Sequence, residues 1–343
     1  MTSDGAHPCT RDQLAAVVRE APAVRGVWTP EHDAVVRPER VPFLVEAYRE
    51  HAVAGARKRV LPTAAGVLGV AVLAVLLADP VTGVPPLLLL AGALAGVWLL
   101  GAVYGVRLAR RTVPEDFARM RQNGRHALWA AEQPAPYTMG LGIVLGAVYL
   151  LQRVDPDASV AAAGLVKEAV AEGEAWRLAT GAMLHGSLLH LAANGSALLA
   201  LGRYVEVHTS RFRLATVFLA SAVAGSLFSQ ALSPASSVGA SGGIMGFVGF
   251  LAVLAARRPG ELPDDFLSRM LYAVAATAAL GVLGFALIDN WAHLGGLLGG
   301  AALGVVLVPR EGSLAGGRVL GWASVAGVLL AAAGAAAAML AAY

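Results

Sequence analysis

From residue 60 to residue 106 the chain carries a single charged side chain, Asp79. A segment that apolar cannot be wetted. In lipid it must satisfy its own backbone hydrogen bonds, which leaves helices or closed barrels. Windows of about 20 mostly apolar residues, enough for one helical crossing, recur along the chain. They lie at Val60–Ala78, Val84–Val106, Pro136–Leu151, His185–Tyr204, Leu214–Leu232, Ser241–Ala256, Met270–Ile288, Trp291–Val308 and Val319–Tyr343. The pattern predicts an all-α polytopic membrane protein with nine crossings. Composition agrees: 57% of the 343 residues are hydrophobic and 14% are charged, against roughly 25% charged in a soluble domain.

The charges cluster. Residues 1–60 hold 17 of the 49 charged side chains. Asp4, Arg11, Asp12, Arg19 and Glu20 interrupt any apolar run near the start, so residues 1–59 read as a cytosolic region rather than a signal peptide. A short helix is expected after Pro42. The first two windows form a hairpin, residues 60–106, turned by Asp79-Pro80 and Gly83-Val84-Pro85.

Arginines set the expected direction. Arg57-Lys58-Arg59 precede the first window, and Arg107, Arg110, Arg111, Arg119, Arg121 and Arg125 follow the second. Cytoplasmic loops collect Lys and Arg, so both stretches belong inside. The loops at 203–213, 257–269 and 309–318 then fall inside as well, each with at least two arginines. Residues 152–184 fall outside. Stretch 107–135, with Phe117, Met120 and Trp129 among its arginines, reads as an amphipathic linker on the inner surface. A net charge of +3 spread over loops marks topology, not nucleic-acid binding, and the lone Cys9 excludes a disulfide framework.

Polar side chains inside spanning helices are costly and point to function. The fourth window opens with His185, His190 and Asn194. The sixth opens with Gly239-Ala240-Ser241-Gly242-Gly243, and the eighth with Asn290-Trp291-Ala292-His293. In the nine-crossing scheme all three windows run from outside to inside, so these residues share one depth below the outer surface. Ser241, flanked by small residues, is a reachable hydroxyl. His293 is a base suited to neutral pH. Serine becomes a nucleophile once such a base takes its proton. Asp289 lies at the membrane surface, so a Ser–His dyad is expected rather than a triad. His190 and Asn194 are four apart on one helix face and suit an oxyanion hole together with the Ser241 N–H.

Plainer readings exist for each residue alone. A membrane serine commonly hydrogen-bonds its own helix, and a buried histidine often serves as helix glue. A zinc site at His185, His190 and His293 lacks an acidic or thiol ligand. The glycine pairs Gly242/Gly246, Gly295/Gly299, Gly296/Gly300 and Gly300/Gly304 read as close packing of the sixth and eighth windows. That packing would also bring Ser241 and His293 together.

At these residues the sequence resembles the rhomboid family of intramembrane serine proteases. Glu174-Ala175-Trp176-Arg177-Leu178 followed by His185, His190 and Asn194 resembles the family's outer-loop Trp-Arg and its His-His-Asn helix. Gly239-Ala240-Ser241-Gly242 matches the nucleophile motif and Ala292-His293-Leu294-Gly295-Gly296 the base motif. Leu201-Gly202 with Glu206, then Phe212 and Ala224-Gly225-Ser226, resembles the connecting region. The resemblance implies a six-helix core over 136–308, with the 60–106 hairpin before it and an extra C-terminal helix in 309–343. It implies Ser241 as nucleophile, His293 as base, and His190 and Asn194 as oxyanion stabilisers. His185 would support the site, and Trp176-Arg177 would stabilise a membrane-dipping loop.

The implied substrates are membrane proteins cut in or near a transmembrane segment on the outer side, with no metal or cofactor. The implied setting is the lipid bilayer of a cell or inner membrane, and the sequence says nothing of oligomeric state. The competing reading is a non-catalytic rhomboid-like binder of membrane clients. A transporter would need polar residues on the inner halves of the windows, where almost none occur. Loop Ser233–Ala240 is expected to be non-helical backbone at membrane depth, allowed only where protein or cavity water satisfies it.

Overall fold

The computed structural model describes residues 9–20, 27, 41–76, 128–283, 288–314 and 318–343, with scattered positions between 99 and 126. Most of the second expected crossing, the 79–85 turn and much of the 107–127 linker lie outside the described residues. The chain divides into two units, one up to Gly124 and one from Arg125 onward.

In the first unit, α1 (Arg11–Glu20) opens with a reciprocal cap. Thr10 Oγ1 accepts the Gln13 N–H at 3.2 Å, and Gln13 Oε1 accepts the Thr10 N–H at 2.9 Å. α2 runs from Pro42 to Leu76. Ala15 and Val18 pack against Val41, Leu44, Ala47 and Tyr48 at helical spacing. The expected short helix after Pro42 is therefore the beginning of a longer one, which passes residue 60 and contains the described part of the first apolar window. Arg57-Lys58-Arg59 oppose burial but not helix formation.

Among the described residues the regular elements of the second unit are all helices, apart from isolated bridges. α3 is Pro136–Gln152. It turns by 120° into α4, Pro156–Ala163, where Asp155 accepts the Ala158 N–H at 3.0 Å as N-cap. Short helices α5 (Lys167–Ala171) and α6 (Arg177–Thr180) and a 3-10 turn (Gly181–Met183) fill the segment expected as an outer loop. α7 (Leu188–His208), α8 (Arg211–Leu232), α9 (Ser241–Arg257), α10 (Phe266–Leu283), α11 (Asn290–Leu307) and α12 (Arg318–Ala342) follow. Among the described residues α8, α11 and α12 are long and apolar enough to cross a membrane, as is α3 with α4 if that bent pair is one span. The architecture is an all-α polytopic membrane fold.

Helix starts differ from the apolar windows where a cap decides. The fourth window began at His185, but Ser187 accepts the His190 N–H at 3.1 Å, so α7 begins at Leu188 and His185 precedes it. α9 is the central helix, buried almost throughout from Gly242 to Leu251. Phe218 of α8 and Phe247, Phe250 and Leu254 of α9 are fully buried around it. α3 lacks a cap in its own sequence. A carboxylate from α7 supplies one: Glu206 accepts from Tyr137 N at 3.0 Å, Thr138 N at 2.8 Å and Thr138 Oγ1 at 2.7 Å. α12 packs on α3, α4 and α8, joined by a Thr216–Ser324 hydroxyl pair at 3.0 Å and by Tyr343, whose hydroxyl donates to the Leu151 carbonyl at 2.9 Å.

Candidate active site

Ser241 is the first residue of α9, and the chain reaches it through the non-helical stretch 233–240. Helix-external backbone of this kind needs partners, and the segment from Leu165 to Gly181 supplies them. Leu165 and Ser237 exchange two backbone hydrogen bonds, at 3.0 and 3.1 Å, and the Gly239 N–H donates to the Gly181 carbonyl at 3.0 Å. Ser237 and Gly239 of this loop thus find their backbone partners in protein.

That segment is itself held by Arg177. Its buried guanidinium donates to the carbonyls of Ala161 at 2.9 Å and Gly164 at 3.0 Å, and to Glu174 at 2.6 Å. Trp176 beside it is exposed, its ring 4.7 Å from the guanidinium carbon. Neither side chain appears among the hydrogen-bond partners of Ser241 or His293.

Opposite Ser241 stands His293, in the first turn of α11. Asp289 caps that helix: its Oδ1 accepts the Ala292 N–H at 3.0 Å and its carbonyl accepts the His293 N–H at 3.1 Å. The imidazole Nε2 lies 2.8 Å from Ser241 Oγ. The other ring nitrogen, Nδ1, has no hydrogen-bond partner among the described residues.

That distance depends on how closely α9 and α11 approach. A β-carbon on Gly296 would overlap the Gly242 carbonyl, and one on Gly300 would overlap the Gly246 carbonyl. Gly242 in turn faces the Ala292 carbonyl, 3.4 Å from where its β-carbon would sit. Gly242, Gly246, Gly296, Gly300 and Gly304 of the spacing read in the sequence lie at the close α9–α11 contact that brings serine and histidine together. Gly295 and Gly299, expected at the same contact, instead face Ala224 of α8.

The third wall comes from α7. Gly239 has a φ of 138°, and a β-carbon there would meet His190 Cε1 at 2.7 Å, His190 Nε2 at 2.9 Å and Asn194 Nδ2 at 3.7 Å. His190 and Asn194 therefore press against the backbone two residues before Ser241. Asn194 is buried, and its Nδ2 has no hydrogen-bond partner among the described residues. A buried donor of that kind stays costly until an acceptor arrives. His185 is fully buried and packs edge-on to His190, with ring centroids 5.2 Å apart.

Ser241, His293, His190, Asn194, Gly239, Gly242 and His185 thus gather in one place, with Trp176 and Arg177 in the adjoining segment. Sequence reasoning missed Gln152. Its amide donates to the His185 carbonyl at 2.9 Å and accepts the His185 N–H at 3.0 Å, fixing the backbone that precedes α7. A single glutamine at the end of an apolar window carries no pattern that distinguishes it from a helix end. Chemically, the arrangement offers a hydroxyl, a base in contact with it, and donors beside it for a developing anion.

Comparison with known proteins matches this same region. The model of the rhomboid domain covers residues 172–310. The rhomboid protease GluP of Bacillus subtilis is 36% identical over 157 residues, 44% of this chain and 30% of its own length. RHOMBOID-like protein 6, mitochondrial, of Arabidopsis thaliana is 34% identical over 158 residues, 43% of this chain and 48% of its own. The putative rhomboid protease YdcA of Bacillus subtilis is 31% identical over 144 residues, 41% of this chain and 72% of its own. The chain thus spans less than half the length of GluP and of RHOMBOID-like protein 6.

Proposed function

The chain belongs to the rhomboid family, and from that premise we propose that it is an intramembrane serine endopeptidase with Ser241 as nucleophile and His293 as general base. The observation that carries the reading is the 2.8 Å contact between His293 Nε2 and Ser241 Oγ beside the donors of α7. The substrates are membrane proteins cut in or near a transmembrane segment. The N-terminus is cytoplasmic and the site opens to the outer side, a reading that the arginine distribution supports.

A helical substrate hides its carbonyls in hydrogen bonds, so the scissile stretch must unwind before it meets Ser241. Ser241 Oγ then bonds to the carbonyl carbon while His293 Nε2 takes the hydroxyl proton. The carbonyl oxygen becomes an oxyanion, accepting from the Asn194 amide, from His190 and from the Ser241 N–H. When the tetrahedral species collapses, the C–N bond breaks and His293 returns its proton to the leaving amine. Water, deprotonated by the same histidine, then cleaves the ester on Ser241. His185, Trp176 and Arg177 hold these elements without touching the reacting atoms.

The test is cleavage of a transmembrane reporter in vesicles by the wild type, Ser241→Ala and His293→Ala. Each variant is expected to lose at least about 10³-fold in rate, and Ser241→Ala to lose labelling by a fluorophosphonate. Undiminished cleavage by either variant would remove the dyad assignment.

A further inference from the structure

We propose that Lys167 and Ser229, acting through Asp289, are positioning residues that set the His293 helix against Ser241; this rests on the hydrolytic reading of the site. The observation is a line of side chains outside the reacting set, running from buried Lys167 and Ser229 to half-buried Asp289. Lys167 Nζ donates to Ser229 Oγ, and Ser229 Oγ donates to Asp289 Oδ2. Asp289 Oδ1 meanwhile caps α11 through Ala292 N. Ser229 is fully buried and Lys167 is 7% exposed, too deep for a solvated surface lysine.

Asp155, Ser187 and Ser210 cap α4, α7 and α8 with a single side-chain acceptor each. Asp289 differs because both carboxylate oxygens are engaged, one along α11 and one sideways toward α8. A carboxylate held at two points fixes the rotation of the helix start as well as its end. His293 lies four residues on, over the same face, so rotation at Asp289 would carry the imidazole-bearing turn away from Ser241. Burying the ammonium carries a desolvation cost. Burial accordingly pushes Lys167 below the ordinary lysine range, with Asp289 and then Glu168 opposing.

The placement of Lys167 in the chain adds the second half of the argument. Gln230 Nε2 donates to the Lys167 carbonyl at 2.9 Å, tying the same residue to α8. Two residues earlier, Leu165 forms the backbone bridge to Ser237 that holds the loop into Ser241. Residues 165–167 therefore index both partners: Leu165 reaches toward the serine through its loop, and Lys167 toward the histidine through its cap.

The experiment uses the full chain in detergent micelles. It measures kcat and KM on a transmembrane reporter and the rate of fluorophosphonate labelling of Ser241, for wild type, K167M, D289N, K167M/D289N, S229A and S229T. Each of K167M, D289N and S229A is expected to lower kcat and labelling about tenfold with KM unchanged. The double variant should be no worse than its poorer parent, and S229T, which keeps the hydroxyl, should retain most activity. Wild-type kcat in K167M and S229A, or losses that multiply in the double variant, would overturn the positioning role alone. Should K167M fail to fold, D289N and S229A, which barely change shape, decide between these outcomes. A wild type that neither labels nor cleaves overturns the hydrolytic reading and this proposal with it.

Discussion

At Gly239 two separate demands fall on one residue. A φ of 138° disfavours any side chain, and the space a β-carbon would need is already filled by His190. Gly239→Ala is therefore expected to displace His190 and Asn194 from the backbone that leads into Ser241 rather than to unfold the protein. Loss of a single oxyanion donor typically costs about 10²–10³ in kcat. We expect a decrease near the lower figure, matched by His190→Ala, with both variants retaining a cooperative thermal transition. An alanine variant with wild-type kcat would show that α7 does not contribute to the reaction. Ser241, His293, His190 and Asn194 were legible in the sequence because each is polar where lipid penalises polarity. Gln152 and Ser229 were not, since a lone amide or hydroxyl near the end of an apolar helix is common.

For helices, contact distance matters more than length. Gly246 faces Ser221 of α8 on one side and Gly300 of α11 on the other, and its β-carbon would overlap the Ser221 hydroxyl. Backbone cannot move aside as a flexible side chain can. Gly300→Ala must therefore spread α9 and α11, with an overpacking cost of roughly 1–3 kcal/mol or more. The unfolding midpoint should fall, and cleavage should fall further because the two helices carry the serine and the histidine. Gly146→Ala on α3 is the control, since nothing lies within 4 Å of its added carbon. Equal stability of the two variants would contradict the close-packing account. The spacing of these glycines was visible in the sequence. The helix each faces was read correctly for Gly296 and Gly300, which meet α9, but not for Gly295 and Gly299, which face α8, because a small-residue repeat has no partner written into it.

On the scale of the whole molecule, the arginines used to read topology have a second occupation. Arg203 donates to the carbonyls of Ala131 at 2.6 Å and Gln133 at 2.8 Å, and Arg257 to that of Val308 at 3.0 Å. They neutralise backbone oxygens that helix ends and turns leave exposed. The residues before α3 are joined to the end of α7 by His126 and His208, whose Nε2 atoms lie 2.7 Å apart in stacked rings. Burial holds His126 below the ordinary imidazole range. Below about pH 6.5 the unfolded chain therefore binds more protons than the folded one, and stability falls as pH drops through that range. The thermal midpoint should be lower near pH 5.5 than near pH 7.5, and His126→Gln should reduce the difference. An unchanged slope in that variant would show that other groups set the acid sensitivity.

Apolar windows alone determined that this chain is a bundle of membrane helices, because a run without charges has few ways to satisfy its backbone in lipid. They also exposed the polar residues that gather at the site, since their cost makes them conspicuous. Tertiary structure decided what local pattern cannot carry: that Glu206 of one helix caps another, that His185 precedes its helix rather than opening it, and that a buried lysine reaches the cap of the histidine helix. Each of these joins groups distant in sequence. Such pairings follow from how the helices pack, and periodicity along one segment holds no record of its neighbour.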